Sequence, residues 1–344
     1  MERVQIHSKI GNFDFMMNDC LVFTGCNHQT KETIYKLINR NFQSTTYSVI
    51  EEDTLGEEGI KLLINDKVIT SRKLKYISIE SINDLMNQFN IEKKNLLDQI
   101  MISILSDFDF SEIFEELGDL LLKVESKLNY KLREILPNIE LEFDTFNSEI
   151  LYRKFSKLIW TKNEHEQLDY FLDHEILIDN FCSLLETYIE QTGEHVCIQI
   201  KYPDVFLSEK NMELFMRRLI DINKKYKKIF LFIYHYQKCV DFGIENFTSI
   251  VLCTNIIQQL PEFEFYRNSI ERYYPIELKI GDGELYSRTI NILPYTGNKL
   301  DYKNLISSRD MVLLKLLNQL LDLDVYEETS SAGLTKYEQL YLLS

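Results

Sequence analysis

A ten-residue segment near the start of the chain has the spacing of a phosphate-binding loop. Thr24 to Thr33 reads T-G-C-N-H-Q-T-K-E-T and lies between a short apolar run and a helix-like stretch. In the phosphate-binding pattern G-x-x-x-x-G-K-[ST], backbone N–H groups and the lysine hold phosphates and the hydroxyl holds Mg²⁺. Gly25 and Lys31 are in register with this pattern. The segment is therefore the first place to look for nucleotide chemistry.

Two positions of the loop have lost the residue type that this chemistry needs. Thr30 replaces the second glycine, which hinders close approach of the backbone to a pyrophosphate. Glu32 replaces the hydroxyl and puts a negative charge beside the place of the phosphates, which would repel them. The loop therefore predicts an NTPase-like fold without a working nucleotide site.

The strand that should carry the metal-holding acid is altered as well. Ile229 to Ile233 is fully apolar and is followed by Tyr-His-Tyr, with no carboxylate before Asp241. This second loss points in the same direction as the first. Two alternatives stay open. One is a working nucleotide site, and the other is an ordinary strand–turn–helix in which the glycine and the lysine occur by chance.

An acidic segment offers oxygen ligands for a metal ion. Glu140, Glu142 and Asp144 alternate with apolar residues after Pro137, so an extended backbone would project all three carboxylates from one face. Closely spaced carboxylates suit Ca²⁺, which takes six to eight oxygen ligands. A solvated acidic edge is the alternative.

Basic residues form groups within a strongly acidic chain. The net charge of −16 argues against uniform coating by nucleic acid, but Lys and Arg can still be segregated onto one surface. The helix dipole accounts for part of a further group, at Arg217-Arg218 and residues 224–228. The candidate DNA-binding residues are Lys123, Lys127, Lys131 and Arg133 on a helical stretch, and Arg72, Lys73 and Lys75 near a hairpin.

Hydrophobic periodicity indicates which elements position these groups. Residues 60–64 and 67–69 flank Asn65-Asp66 as a hairpin, and 74–79 is a further strand. From Ser81 to Glu190 the pattern is helical, with an apolar stripe at Ile113, Phe114, Leu117, Leu120, Leu121, Val124 and Leu128. Pro137 interrupts it, and a second helical stretch covers 147–190. Such a stripe needs a partner, so we expect an antiparallel helical arm.

Strand patterns return after the helical block. We expect strands at 195–200, 229–233 and 249–253, a helix from Ser208, a hairpin of 276–280 and 287–293 around Gly281-Asp282-Gly283, and a helix over 308–321. The predicted organisation is an α/β head (1–80 and 191–260), a helical arm (81–190) and a C-terminal extension (261–344). The chain has no C-x-x-C pair, no signal-peptide profile and no apolar run long enough to span a membrane, so we expect a cytoplasmic protein with reduced thiols.

Four features together carry a family resemblance. A degenerate phosphate loop near the start, a long helical insertion, the E-L-E-F-D segment at 140–144 and the K-K-I-F-L-F-I strand at 227–233 occur in this order. In the order and spacing of these four features, the chain resembles the calcium-dependent DNA-end-binding protein of type II-A CRISPR loci. The resemblance covers roughly residues 1–260, and the remaining residues look like the extension of the longer subgroup of that family.

The resemblance implies an α/β head of degenerate P-loop NTPase type (ABC/SMC-like) with a long helical insertion arm, a C-terminal extension and no ATPase activity. It implies a homotetrameric ring whose basic inner wall surrounds duplex DNA, and a structural calcium ion where arm and head meet. By match of segment, Glu140, Glu142 and Asp144 would hold that ion.

For function, the resemblance implies sequence-independent binding of double-stranded DNA ends during spacer acquisition, together with the CRISPR spacer integrase and the RNA-guided effector nuclease. It implies neither catalysis nor bound nucleotide. An active P-loop ATPase of DNA metabolism and a helical scaffold that binds only proteins are the alternatives.

Overall fold

The structure is a computed structural model that divides into two compact units. The larger unit comprises residues 1–84 and 193–344, and the smaller unit comprises residues 85–192. The described residues are 1–43, 46–56, 59–70, 72, 74–136, 138–143, 148–157, 161–163, 166–167, 174–298, 306–323 and 333–343, with the backbone alone at 161–163 and 166–167.

The elements follow one another along the chain. The first part of the larger unit contains β1 (Glu2–Ser8), β2 (Gly11–Met17), β3 (Leu21–Thr24), α1 (His28–Phe42), α2 (Val49–Leu55), β4 (Lys61–Ile64), β5 (Lys67–Ile69) and β6 (Lys75–Ile79). Next come α3 (Ile82–Asn87), α4 (Leu96–Leu105), α5 (Phe108–Ile135), α6 (Ser148–Phe155), β7 (Thr161–Asn163), β8 (Glu166–Gln167) and α7 (His174–Thr192). The remainder contains β9 (Val196–Lys201), α8 (Pro203–Phe206), α9 (Glu209–Tyr226), β10 (Ile229–Tyr234), β11 (Ile250–Cys253), β12 (Ile257–Gln259), α10 (Phe263–Tyr273), α11 (Asp282–Ile292), α12 (Ser308–Leu320) and α13 (Lys336–Leu343).

Two sheets form the framework of the larger unit. A six-stranded sheet has the order β12-β11-β3-β10-β9-β6, and all its pairs are parallel except β11–β12. A four-stranded antiparallel sheet has the order β2-β1-β4-β5. Every residue of β3 and β10 is buried, as expected for strands covered on both faces. The ring of Phe23 stacks on that of Tyr234 with centroids 4.8 Å apart, which places the core at the middle of the sheet.

Several sequence predictions agree with the structure. The hairpin at Asn65-Asp66 forms between β4 and β5, and both turn residues have positive φ, which Asn and Asp tolerate. Ser208 caps α9 by accepting a hydrogen bond from the N–H of Asn211. The strand at 229–233 is confirmed as β10, and the helix at 308–321 is confirmed as α12 within one residue of its end.

Two predicted elements are wrong. The hairpin around Gly281-Asp282-Gly283 does not form, because residues 282–292 are helix α11 and residues 276–280 form no strand. Leu285, Thr289 and Ile292 are all buried, so a helical period decides the segment, and Asp282 and Glu284 lie in its first turn, where negative charge is favourable. The helical stretch at 147–190 is interrupted by the β7–β8 pair.

The smaller unit is built around helix packing. Helix α4 packs against α6 and α7, and the buried carboxylate of Asp98 accepts a hydrogen bond from Arg153 at 2.8 Å, which joins α4 to α6. Helix α5 is one uninterrupted helix of 28 residues, as its apolar stripe predicts, yet none of its residues is buried. The long helix therefore presents its apolar stripe with little cover from the described residues of its own unit.

Candidate functional site

The turn that resembles a phosphate loop is packed against the end of a neighbouring strand. Gly25 has φ +98°, and a Cβ there would lie 2.6 Å from the carbonyl oxygen of Cys253 at the end of β11. The backbone N–H of Asn27 donates to that same carbonyl at 2.9 Å, and its side-chain amide donates to the carbonyl of Thr254. Glycine is thus required here by close packing of protein on protein.

The start of α1 is also closed by the protein itself. The side-chain oxygen of Asn27 accepts a hydrogen bond from the N–H of Thr30 at 3.0 Å, in the position where a bound phosphate accepts from a helix N-terminus. The ring of His28, the first residue of α1, lies 4.4 Å from that of Tyr236, which itself contacts Tyr202 at 5.5 Å. The side chain of Asn27 therefore accepts a hydrogen bond that an anion bound at this helix start could accept.

Lys31 lies inside the protein, where two backbone carbonyls bind its ammonium group. Its side chain is completely buried, and Nζ donates to the carbonyl oxygens of Gly25 at 2.8 Å and of His235 at 2.7 Å. Burial lowers the pKa of Lys31 to about 8. The ammonium therefore joins the turn after β3 to the residue that follows β10, and both of these contacts are with the backbone of the protein itself.

The carboxylates at this edge of the sheet form ion pairs with lysines of the protein. Glu32 contacts Lys201 at 3.0 Å and Lys36 at 3.3 Å, and Glu80 contacts the same Lys201 at 3.1 Å. Burial acts to raise the pKa of Glu32, but the hydrogen bonds from the two lysines outweigh it and the pKa is lowered. The predicted negative charge at Glu32 is present, and it is balanced by protein cations.

Asp204 holds a loop at this edge of the sheet, and the sequence reasoning did not single it out. Its buried carboxylate accepts hydrogen bonds from the backbone N–H groups of Tyr236, Gln237 and Lys238 at 2.7–3.0 Å, which closes the loop after β10. The buried ring of His235 has its Nδ1 3.9 Å from the carboxylate of Asp204. Burial lowers the pKa of His235 to about 4, so the ring is neutral at pH 7. An acid three residues after the apolar strand β9 was the available clue.

The proposed calcium ligands lie on an extended segment that runs back along α5. The amide of Asn129 exchanges two 2.7 Å hydrogen bonds with the backbone of Leu141. Glu140 and Glu142 are exposed, and the carboxylate of Glu140 is bound by the guanidinium of Arg133. Asp144 lies outside the described residues, and among those that are described no three His, Cys, Asp or Glu side chains come together as a metal site. As described, these carboxylates do not fit a preformed calcium site.

The candidate DNA-binding residues fall into two groups in different units. Lys123, Lys127 and Lys131 are exposed on α5 and make no ion pair with any described residue, whereas Arg133 is neutralised by Glu140.

The second group lies at the amino ends of the parallel strands. Arg72 is exposed, Lys73 lies outside the described residues, and the N–H of Lys75 bonds to the carbonyl of His195, the residue before β9. The carbonyl of Lys228 accepts from the residue after His195, so Lys75 and Lys228 flank the start of β9. Two strand spacings place their backbones about 10 Å apart. Lys228 was noted in the sequence but not assigned to DNA.

Comparison with known proteins gives the family. Residues 8–340 match the family model described as CRISPR-associated protein Csn2 subfamily St. The chain belongs to this family. The Csn2 match spans almost all of the sequence and includes residues 261–340 of the segment that was expected to form the extension of the longer subgroup. The resemblance to type II-A CRISPR proteins is thereby confirmed.

Solved structures support the Csn2 fold. Stu0660 of Streptococcus thermophilus is similar with a TM-score of 0.82 and 19% identity, and the alignment covers 98% of each chain. The SMC head bound to the C-winged helix domain of ScpA gives a TM-score of 0.43, with 8% identity over 76% of this chain and 98% of that one. The recombination mediator RecF gives a TM-score of 0.32 with 12% identity, and the alignment covers 75% of this chain and 97% of that one.

Scores this low do not establish a P-loop type of head for the Csn2 chain. No curated protein matches it significantly. Among its described helices, none is both long and apolar enough to cross a bilayer.

Proposed function

We propose that this Csn2-family chain binds double-stranded DNA without sequence preference, with access through DNA ends, during the acquisition of new CRISPR spacers. We further propose that it catalyses no reaction and binds no nucleotide, that it acts as a homotetrameric ring in the cytoplasm, and that the spacer integrase and the RNA-guided effector nuclease are its partners. Family membership supports the CRISPR role.

The observation that carries DNA binding is the presence of uncompensated cations on an acidic chain. Arg72 is exposed and Lys228 half-buried, and neither forms an ion pair with a described residue. Lys227 is compensated by Asp19 at 3.5 Å, so it is not counted. Phosphate contact needs such free cations, because each contact releases counterions that were condensed on the DNA. Binding through these cations would be independent of sequence.

The absence of catalysis is supported by the closed loop at the end of β3. Lys31 is held by two backbone carbonyls and Asn27 caps α1, so the groups that would hold phosphates already have protein partners. The order of strand, turn and helix around Lys31, within a parallel sheet, supports a degenerate P-loop NTPase ancestry for the head.

A gel shift with linear and with closed circular duplex tests the DNA proposal. We expect binding that prefers the linear form and weakens with salt. For roughly six phosphate contacts, raising the salt from 0.1 to 0.5 M lowers affinity by about 10⁴-fold. Binding that survives at that salt, or no binding to either form, contradicts the proposal.

A variant pair sharpens this test. Arg72→Glu with Lys228→Glu should weaken DNA binding at least tenfold, because two repulsive charges replace two contacts. Lys279→Glu with Lys238→Glu is the charge-matched control, since both lysines are exposed but already paired, with Glu277 and Glu209, each at 3.1 Å. Equal weakening by both variants would show that only net charge matters.

The remaining assignments have their own tests. The assignment of a calcium site rests on the family resemblance alone. Calorimetric titration of the wild type and of Glu142→Gln with Ca²⁺ tests whether the chain binds the ion and whether Glu142 contributes. A nucleotide titration separates the proposal from an active ATPase. Capture of the integrase or nuclease by a chain that binds no DNA would favour the protein scaffold instead.

A further inference from the structure

A groove runs along one side of α9, within the larger unit. Two cavities of about 320 and 250 Å³ form this α9 groove, and both are lined by Glu213 of α9 and by Asp241 of the loop after β10. The larger cavity extends along α9 to Lys224, and the smaller one extends toward the start of the helix at Glu209. The lining therefore follows α9 over about four turns, a length of about 22 Å.

The two cavities differ in their lining. Met216 and Ile220 lie beneath the larger cavity, buried and four residues apart on one face of α9, and the buried Phe242 lines it from the opposite wall. The smaller cavity is mainly polar, and the exposed Ser287 and Asn291 of α11 form one of its walls. The α9 groove therefore offers an apolar contact at one cavity and polar contacts along its whole length.

Carboxylates outnumber cations on the rim of the groove. Glu209 is paired with Lys238 at 3.1 Å, and Glu245 is paired with Lys224 at 3.8 Å. Three carboxylates and one guanidinium of the rim remain exposed without an ion pair to any described residue, namely Glu213, Asp221, Asp241 and Arg217. Three negative charges against one attract a cationic ligand and repel phosphate, because a concave site concentrates the field of its charges.

The middle of the groove suits a guanidinium. Since Glu213 and Asp241 belong to both cavities, a cation placed there meets carboxylates from opposite walls. A guanidinium carries five N–H donors in a planar fork and binds carboxylates in pairs of hydrogen bonds. A small inorganic cation would use the carboxylates alone and leave the apolar surface at Met216 and Phe242 uncovered. A peptide brings a basic and an apolar side chain together.

We infer that the α9 groove binds an extended basic segment of a partner protein, with an arginine between Glu213 and Asp241 and an apolar side chain against Met216, Ile220 and Phe242. About seven extended residues span the 22 Å of the groove. The inference goes beyond the proposed DNA binding and does not depend on it, because phosphate contact needs cations and this groove is acidic.

Peptide binding to the full-length chain tests the inference. The probe is a fluorescein-labelled peptide of about seven residues in which leucine and arginine alternate. One matched peptide has glutamate in place of arginine, and another has serine in place of leucine. Fluorescence anisotropy should show that the leucine–arginine peptide binds at least about tenfold more tightly than either matched peptide, because both the charges and the apolar contact contribute.

Charge variants of the chain locate the binding. Glu213→Lys with Asp241→Asn should weaken binding of the leucine–arginine peptide at least about tenfold, because a like charge then faces the arginine. Asparagine at 241 keeps the oxygen that accepts from the N–H of Gly243 at 2.8 Å, so the turn is retained. Glu264→Lys with Glu262→Gln is the matched control, because it changes the net charge equally at exposed carboxylates outside the groove.

A steric variant separates the groove from the net charge. Ser287→Trp places a large side chain at the smaller cavity without changing any charge, and it should weaken peptide binding by a similar factor. Asn268→Trp, at an exposed position of α10, is its control. Circular dichroism checks that all variants are folded.

Each of several outcomes would overturn the inference. These are a leucine–arginine peptide that binds no more tightly than the matched peptides, groove variants that bind it as the wild type does, and groove variants whose mass in light scattering falls, since a second copy would then be the occupant. A gel shift with duplex DNA keeps the two proposals separate. If the peptide binds and the wild type does not shift DNA, only the DNA proposal fails; if DNA is shifted and the peptide does not bind, only this inference fails.

Discussion

Replacing Lys31 with methionine separates a structural lysine from a phosphate-binding one. The change keeps the length of the side chain and removes two hydrogen bonds, to the carbonyls of Gly25 and His235, at 2.8 and 2.7 Å. Each buried carbonyl left without a partner costs about 1–3 kcal/mol. Against this, the pKa of about 8 means that burying the charged form costs about 3 kcal/mol at pH 7. The two carbonyls together cost about 2–6 kcal/mol, so we expect Lys31→Met to change the free energy of unfolding at neutral pH by between a gain of about 1 kcal/mol and a loss of about 3 kcal/mol.

The pH dependence is the sharper part of this prediction. Because the pKa of Lys31 is lower in the folded than in the unfolded chain, the unfolded chain binds more protons between about pH 8 and 10.5. The wild type therefore gains stability in this range as the pH rises, and Lys31→Met lacks that gain. From pH 7 to pH 9.5 the deficit of the variant in the free energy of unfolding should grow by about 2 kcal/mol.

Urea unfolding followed by circular dichroism at the two pH values measures this deficit. Lys36→Met is the matched control, because Lys36 is on the same helix, exposed, and paired only at the surface with Glu32, so its effect should stay within about 0.5 kcal/mol. A deficit for Lys31→Met that does not change with pH would refute the buried-ammonium reasoning. Binding of ATP by the wild type but not by Lys31→Met would refute the structural role itself.

Three further substitutions test the packing around the candidate site and in the smaller unit. Gly25→Ala should destabilise the protein by at least about 1–3 kcal/mol in urea unfolding, because its φ is +98° and its Cβ would meet a strand-end carbonyl. Asp98→Asn should cost about 3–5 kcal/mol by leaving Arg153 without its buried carboxylate, whereas Glu149→Gln, at the exposed side of the same guanidinium, should cost less than about 1 kcal/mol. Asp204→Ala should release three backbone N–H groups, so the loop after β10 becomes a site of limited proteolysis; a loop as resistant as in the wild type would contradict the role given to this carboxylate.

Sequence patterns were sufficient where a local rule decides the structure. The apolar run of β10, the Asn65-Asp66 turn and the Ser208 cap each depend on residues that are close in the chain, and all three were predicted. The segment at 287–293 was mistaken for a strand because its apolar residues, seen in a short window, fit both a two-residue and a helical period.

The candidate site depended on contacts that no local pattern contains. The loss of a working phosphate loop was predicted from Thr30 and Glu32, but the use of Lys31 as a link to His235 joins residues 204 positions apart. Asp204 was missed for a similar reason, since its hydrogen-bond partners follow a different strand. Residue types can show which chemistry is lost, whereas the replacement contacts appear only once the sheet order is known.

The strand order also has a consequence for how the protein is made. Strand β3 is at the middle of the six-stranded sheet, yet both of its neighbours, β10 and β11, follow it in the chain by about 200 residues. At a synthesis rate of about 5–20 residues per second, the ribosome takes roughly 10–40 s to complete those neighbours. During that time the nascent chain carries a short apolar strand with both edges unpaired. The centre of the fold is thus among the first parts to be synthesised and among the last to be enclosed.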